Sequence, residues 1–188
     1  MIGGLVLAAG EGSRFGGPKQ VAELDGRPLL EHALRAMSAA PGVERVVVVL
    51  GAHADEVIAK VDIGGAIPVL CEDWREGQAA SLRAGLAELG DVTAAVVTLG
   101  DQPLITSEVI TLALAEFDGV RPVRTTYDGK PGHPVVLPGW MIPKVMELEG
   151  DRGARLLLEE NGALEVEAGH LASAADVDTP DDLEVLRK

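Results

Sequence analysis

Cysteine is almost absent from this chain: Cys71 is the single one in 188 residues. That excludes an intramolecular disulfide and fits a reducing compartment. Cys71 follows Val69-Leu70 at a strand end, so it reads as core packing rather than as a nucleophile. Aromatic residues make up only 3%, so Ala, Val and Leu must fill the interior. No apolar run approaches the roughly 18 residues that a membrane span needs. The N-terminus carries no basic secretion-signal segment and opens directly on apolar residues, so the expectation is a cytoplasmic chain without a membrane partner. Positive charge is scarce: 16 Lys and Arg stand against 30 Asp and Glu, a formal −14. Such a balance argues against nucleic acid as a partner. The histidines at 32, 53, 133 and 170 show no metal-ligand spacing, and no Ser–His–Asp order or nucleophile elbow is visible.

What the chain does have is a regular alternation. Val46 to Leu50 and Ala94 to Leu99 are nearly continuous apolar runs, the pattern of strands covered on both faces. Between them Leu82, Leu86 and Leu89 fall at i, i+4, i+7, one stripe of a helix. Leu30, Ala33, Leu34 and Met37 make another stripe in a helix opening near Pro28, and Ile110, Ala113, Leu114 and Phe117 a third. The fold class is therefore α/β, a Rossmann-like, mostly parallel sheet flanked by helices. Beyond Gly119 the rhythm breaks. Val120 to Tyr127 and Pro134 to Leu137 read as strands flanking a turn over 128–133, a small hairpin insertion of mixed strand direction. A helix is expected from about Pro143 and another from Asp151, as its cap, to Glu160. A short strand then runs around Leu164–Val166, and a last helix is capped by Thr179 with Pro180 at its first position. No repeat or linker interrupts the chain, which predicts one domain over 1–188.

The apolar run from Ile2 to Ala9 ends in the loop Gly10-Glu11-Gly12-Ser13-Arg14-Phe15-Gly16-Gly17-Pro18-Lys19. Glycines permit close backbone approach, so such a loop can present N–H groups to phosphate. Two cations in it, within an acidic protein, point to an anionic ligand. A Walker A loop needs Lys directly after the last glycine, then Ser or Thr. Here Pro18 intervenes and Gln20 follows. A dinucleotide fingerprint needs glycines at the first, third and sixth positions, and counting from Gly10 the sixth is Phe15.

In an open α/β sheet, ligands gather beyond the carboxyl ends of strands. Asp101, after the Ala94–Leu99 run and Gly100, stands at such a rim. A carboxylate there suits Mg²⁺, which takes few protein oxygens, although a helix cap is the plainer role and Thr106 competes for it. Near the C-terminus Asp178 precedes the Thr-Pro helix start, whereas Asp181 and Asp182 fall where a helix dipole favours acids anyway. That makes Asp178 the second metal candidate. Gly77 and the helix after it offer further N–H groups to a base or phosphate. Trp74 fits a lid or a surface plug equally.

Together these motifs resemble one family. Leu7-Ala8-Ala9-Gly10-x-Gly12-x-Arg14-x-Gly16 with Lys19 is similar to the signature loop of MobA-like nucleotidyltransferases. Trp74-x-x-Gly77-x-x-x-Ser81, Gly100-Asp101-Gln102-Pro103, Pro131-Gly132-His133-Pro134, Gly150-Asp151-x-Gly153-Ala154-Arg155 and Asp176-Val177-Asp178-Thr179-Pro180 follow in that family's order. The set looks more like the molybdenum cofactor cytidylyltransferase branch, since guanylyl-transferring relatives typically carry a second glycine where this chain has Ala9. Phe15 departs from a frequent methionine.

The resemblance implies a nucleotide-diphospho-sugar transferase type of fold and the transfer of a nucleotide, CMP favoured, from a nucleoside triphosphate to a phosphorylated small molecule such as molybdopterin, with release of pyrophosphate. It implies that Leu7, Ala8, Ala9, Gly10, Gly12, Arg14, Lys19, Gly77 and Ser81 bind the nucleotide, with Arg14, Lys19 and Asp101 catalytic. Asp101 and Asp178 would carry Mg²⁺, while Gln102, Gly132, His133 and Asp151 would face the acceptor. A molybdoenzyme or its chaperone would be the downstream partner. Two other readings stay open: a nicotinamide-dependent reductase on the same fold, and a non-catalytic factor that binds a pterin cofactor for insertion.

Overall fold

A computed structural model describes residues 1–150 and 154–187. In chain order the elements are β1 (Ile2–Ala8), β2 (Glu23–Leu24), β3 (Arg27–Pro28), α1 (Leu29–Ala39), β4 (Val43–Leu50), α2 (Ala54–Lys60), β5 (Ile67–Leu70), α3 (Gln78–Leu89), β6 (Ala94–Leu99), α4 (Ser107–Ala115), β7 (Val123–Tyr127), β8 (Lys130–Pro138), α5 (Ile142–Val145), α6 (Arg155–Glu160), β9 (Leu164–Glu167) and α7 (Pro180–Leu186). The main sheet has the order β5-β4-β1-β6-β8-β7-β9. β5, β4, β1 and β6 run parallel, β8 runs antiparallel to both β6 and β7, and β9 is parallel to β7.

Strand periodicity divides the core into two layers. Val6, Ala8, Val46, Val48, Val96 and Val136 meet Leu30, Leu34 and Met37 of α1 and Val109 and Ile110 of α4 on one face. Leu5, Leu7, Val47, Val49, Val97 and Leu137 meet Leu82, Leu86 and Leu89 of α3 on the other. The stripes expected for α1 and α3 are the buried ones, whereas of the third stripe Ile110 and Ala113 are buried, Leu114 is half-buried and Phe117 lies beyond the end of α4. Helix α3 lies so close to β1 that a Cβ on Gly85 would sit 2.2 Å from Leu5 Cδ1. A third, smaller cluster of Leu24, Leu29, Val177 and Leu183 holds α7 against the start of α1, carrying the C-terminal acids back beside β1.

Several local expectations change. The reversal between β7 and β8 is tighter than 128–133, because β8 already begins at Lys130 and pairs with Tyr127. The helix expected from Pro143 is a single turn, α5. Helix α6 begins at Arg155, while Asp151, expected as its cap, lies outside the described residues. Thr179 does cap α7: its Oγ1 accepts from Asp182 N, and Asp182 reaches back to the Thr179 N–H, a reciprocal capping box. Cys71 is buried, as its packing role required. Among the described residues no helix is long and apolar enough to cross a membrane.

Candidate active site

Parallel strands end at one edge of the sheet, so β1, β4 and β6 deliver their following loops to a common rim. The backbone knits two of those loops together where Gly100 N donates to Leu7 O at 2.9 Å. Gly100 allows this closeness, since a Cβ there would stand 2.9 Å from Ala8 Cβ and from Leu30 Cδ1.

Across this rim the chain assembles a charged cluster from three distant segments. Lys19 Nζ donates to Asp101 Oδ2 at 2.6 Å and to Asp178 Oδ1 at 2.9 Å. Arg14 Nη2 approaches the other Asp178 oxygen, Oδ2, at 2.9 Å. Lys19 is only 13% exposed and Arg14 73%, so the inner cation is fixed and the outer one faces solvent. Burial lowers the Lys19 pKa, but the charge of Asp101 and hydrogen bonds to Asp101 and Asp178 outweigh it, and the net shift is upward. Lys19 is therefore a permanent ammonium. Asp101 Oδ1, by contrast, is buried without a hydrogen-bond partner among the described residues. Thr106 makes no side-chain cap bond to α4, and the Asp101 carboxylate is turned toward Lys19 instead.

Three adjoining cavities open along the rim. The first, about 230 Å³, contains Gly10, Gly12, Arg14, Lys19, Asp101 and Asp178. The second, about 640 Å³, shares Leu7, Gly10 and Asp101 with it and adds Ala9, Trp74, Gly77 and Ser81. The third, about 390 Å³, is bordered by Gln102, Gly132, His133 and Asp176 and meets the second at Leu99 and Gln78. The described residues named from sequence for nucleotide, metal and acceptor thus fall in three contiguous compartments, and Asp151 lies outside the described residues.

Details within these compartments refine what each group can do. The glycine loop does not offer all its N–H groups outward: those of Phe15, Gly16 and Gly17 donate to Gly12 O at 2.9, 3.0 and 3.3 Å. Gly12 has φ +68°, and a Cβ on it would lie 2.2 Å from Gly17 O, so this turn requires glycine. Ser81 Oγ lies 4.0 Å from Cys71 Sγ, its hydrogen-bond acceptor. Trp74 packs on the apolar layer beneath α3 and carries the Arg75 guanidinium 4.3 Å above its ring, forming a wall of the largest cavity.

In the third cavity Gln102, 4% exposed, donates from Nε2 to Asp176 Oδ1 at 2.8 Å. Desolvation, then the nearby Asp101 charge, raises the Asp176 pKa against the opposing Gln102 bond. Desolvation also pushes His133 down to about 4, with the Asp101 charge opposing, so its imidazole is neutral at pH 7. Arg124 borders the same space but is paired to Glu165 at 2.5 Å and Glu159 at 3.4 Å.

Sequence reasoning gave no role to Gln20, Asp176 or His53. Asp176 sat inside a named motif, and its position two residues before Asp178 was the available signal. For Gln20 the signal was a polar residue directly after Lys19. His53 offered none, because its contact depends on how β4 ends.

A family model of the MobA-like NTP transferase domain matches residues 4–166. The chain is 32% identical to nicotine blue oxidoreductase of Paenarthrobacter nicotinovorans, over 95% of its own length and 92% of that protein's. It is 34% identical to 2-C-methyl-D-erythritol 4-phosphate cytidylyltransferase of Rubrobacter xylanophilus, over 81% of its length and 62% of that enzyme's. Among solved structures, Rv0371c of Mycobacterium tuberculosis in complex with manganese superposes with a TM-score of 0.83 at 27% identity, covering 98% of this chain and 97% of that one.

Proposed function

The chain belongs to the MobA-like NTP transferase family, and from that premise we propose a divalent-metal-dependent nucleotidyltransferase that moves a nucleotide, CMP in first place, from a nucleoside triphosphate to a phosphorylated small molecule. The observation that carries this reading is the single ammonium of Lys19 held between Asp101 and Asp178, with Arg14 on the outer side and a glycine loop beside it. Two carboxylates and two cations in one cavity match what a triphosphate and a hard metal ion each require.

The residues fit such an ion. Asp101 and Asp178 supply only oxygen donors, and Asp101 Oδ1 is buried and unsatisfied among the described residues. Among the described residues no group of three or more His, Cys, Asp or Glu is arranged to hold a metal. Two carboxylates suit an ion that completes its shell with phosphate oxygens and water, as Mg²⁺ does. Bound there, the ion would supply neutralisation of the phosphate charge.

The rest of the reaction belongs to the chain's own groups. The loop around Gly10 and Gly12, with Arg14, would bind the β- and γ-phosphates. Lys19 would place its charge at the α-phosphorus as a phosphate oxygen of the acceptor attacks and pyrophosphate leaves. Such a displacement depends on alignment and charge neutralisation rather than on a covalent nucleophile. Ala9, Gly77 and Ser81 would border the base, and Gln102, Gly132 and His133 the acceptor, with molybdopterin the leading acceptor.

A second reading rests on the oxidoreductase name of a relative that matches nearly end to end. Against it, a dinucleotide-binding loop opens directly into a helix whose N-terminus receives the pyrophosphate, whereas here β1 ends at Ala8 and α1 starts at Leu29. A screen of CTP, GTP, ATP and UTP with Mg²⁺ against phosphorylated acceptors, read by pyrophosphate release, decides between them. Release with one nucleotide and one acceptor supports the transferase. Oxidation of NADH or NADPH without pyrophosphate would replace it with the reductase.

A further inference from the structure

From the end of β1 into the loop, the carbonyls of Ala8 to Gly12 are all turned onto protein. Ala8 O and Gly10 O accept from Gln20 Nε2 at 2.8 and 3.1 Å. Ala9 O accepts from Ala52 N at 3.3 Å, and Gly12 O from the N–H groups of Phe15, Gly16 and Gly17. Glu11 O accepts from His53 Nε2 at 2.9 Å. Each contact faces a carbonyl, so the Gln20 terminus there must be its NH₂ and the His53 nitrogen must carry the proton. In a trans peptide the C=O and the next N–H point opposite ways. Pinning Ala8 O and Gly10 O on Gln20 therefore turns the N–H groups of Ala9 and Glu11 away from it. Pinning Ala9 O and Glu11 O on the Ala52–His53 side turns those of Gly10 and Gly12 the other way.

Resting on the nucleotidyltransferase reading, we propose that Gln20, opposed by His53, is a positioning residue that sets the loop so that the N–H groups of Gly10 and Gly12, in the cavity shared with Lys19, are aimed at the phosphates of the nucleotide. Gln20 is only 4% exposed and sits on the short 3-10 turn Lys19–Val21 beside Lys19 itself. One turn thus carries the cation to Asp101 and Asp178 and, on the next residue, sets the loop facing it. His53 holds the opposite side from the end of β4. A buried amide reaching the carbonyls of Ala8 and Gly10 is a costly arrangement to keep for packing alone, since Gln20 Oε1 is left without a partner among the described residues.

The test compares Gln20→Met, which keeps the side chain's length but cannot donate, with His53→Ala at the more exposed contact. Amide exchange of residues 9–13 is read on the free protein, and KM and kcat on the active one. The expected result for Gln20→Met is a tenfold or greater rise in both loop exchange and nucleotide KM, with the acceptor KM unchanged. For His53→Ala the same two quantities rise about threefold. A purely structural Gln20 would instead lower the melting temperature and the active fraction, so kcat would fall at unchanged KM, and that outcome overturns the proposal. So does unchanged loop exchange in either variant. Should Gln20→Met not fold, His53→Ala and the Gln20 side-chain amide in the wild type decide. That amide must exchange far more slowly than the Gln78 amide, and equal rates overturn the clamp. A wild type that turns over no nucleotide would sink the activity itself, while inorganic pyrophosphate binding and loop exchange in the variants would still judge the clamp.

Discussion

Lys19 and Asp101 stand 82 residues apart in sequence and 2.6 Å apart in space, and Asp178 completes the same contact at 2.9 Å. The ammonium sits on Asp101 Oδ2 and Asp178 Oδ1, so an ion held by both acids meets its charge there, although Asp101 Oδ1 has no hydrogen-bond partner among the described residues. A metal entering the free protein therefore competes with Lys19, and a triphosphate gives the displaced ammonium a new anionic partner. Metal and nucleotide should bind synergistically.

Lys19→Met removes the competing cation. The nucleotide-free variant should bind Mn²⁺ more tightly than the wild type, by about tenfold, since one well-formed charged contact no longer has to be broken. Electron paramagnetic resonance of free Mn²⁺ measures this directly. Equal affinity in the two proteins would show that Lys19 does not guard the acids.

The same variant should lose turnover despite its better metal binding. Removing a preorganised charge from a reacting phosphoryl group costs on the order of 3 kcal/mol, a hundredfold or more in kcat. Steady-state kinetics at saturating metal and nucleotide give the number, and a loss below tenfold would take Lys19 out of the chemistry.

Asp176→Asn should stabilise the protein at neutral pH. Desolvation and the Asp101 charge raise the Asp176 pKa in the folded state, so its ionised form opposes folding above that pKa. The amide keeps an oxygen for Gln102 Nε2 and removes the charge. The gain should vanish as the pH falls below the unfolded carboxylate pKa, where both forms are neutral. Melting curves from pH 8 to pH 3 test the direction.

His133 predicts an acid limb of its own. Its folded pKa of about 4 lies below the ordinary 6.5, so between those values the unfolded chain binds the proton and the native one does not. Stability should therefore fall on acidification through that window, with His133 adding at most about 1.4 kcal/mol per pH unit. Its contribution is absent above it. His133→Gln should flatten that part of the profile in urea titrations, and an unchanged slope would place the imidazole in solvent.

Legibility from sequence followed the range of the forces involved. The two core layers were readable because the continuous apolar runs of β4 and β6, which must be covered on both faces, and the Leu82-Leu86-Leu89 stripe are local patterns. The capping box at Thr179 and Asp182 was partly readable for the same reason. Asp101 and Asp178 were nameable individually, because each ends or starts an element, but no local signal states that Lys19 bridges them. That contact depends on Val177, and Leu183 of α7, docking onto Leu24 and Leu29. Gln20 and His53 were missed because their partners are backbone carbonyls of the loop, which leave no trace in residue type. The hairpin turn was drawn too wide, since Pro131 and Gly132 are turn-type residues by local chemistry, yet β8 pairs with β7 through Lys130 and Pro131.

The most direct measurement is metal-dependent pyrophosphate release by the wild type beside Asp101→Asn and Asp178→Asn, with nucleotide binding followed in parallel. Release should require nucleotide, acceptor and divalent ion together. It should fall at least a hundredfold in Asp101→Asn and clearly in Asp178→Asn, with both variants folded. Full pyrophosphate release by either variant, or by the wild type in the presence of a chelator, would contradict a triphosphate handled by a metal between these two acids.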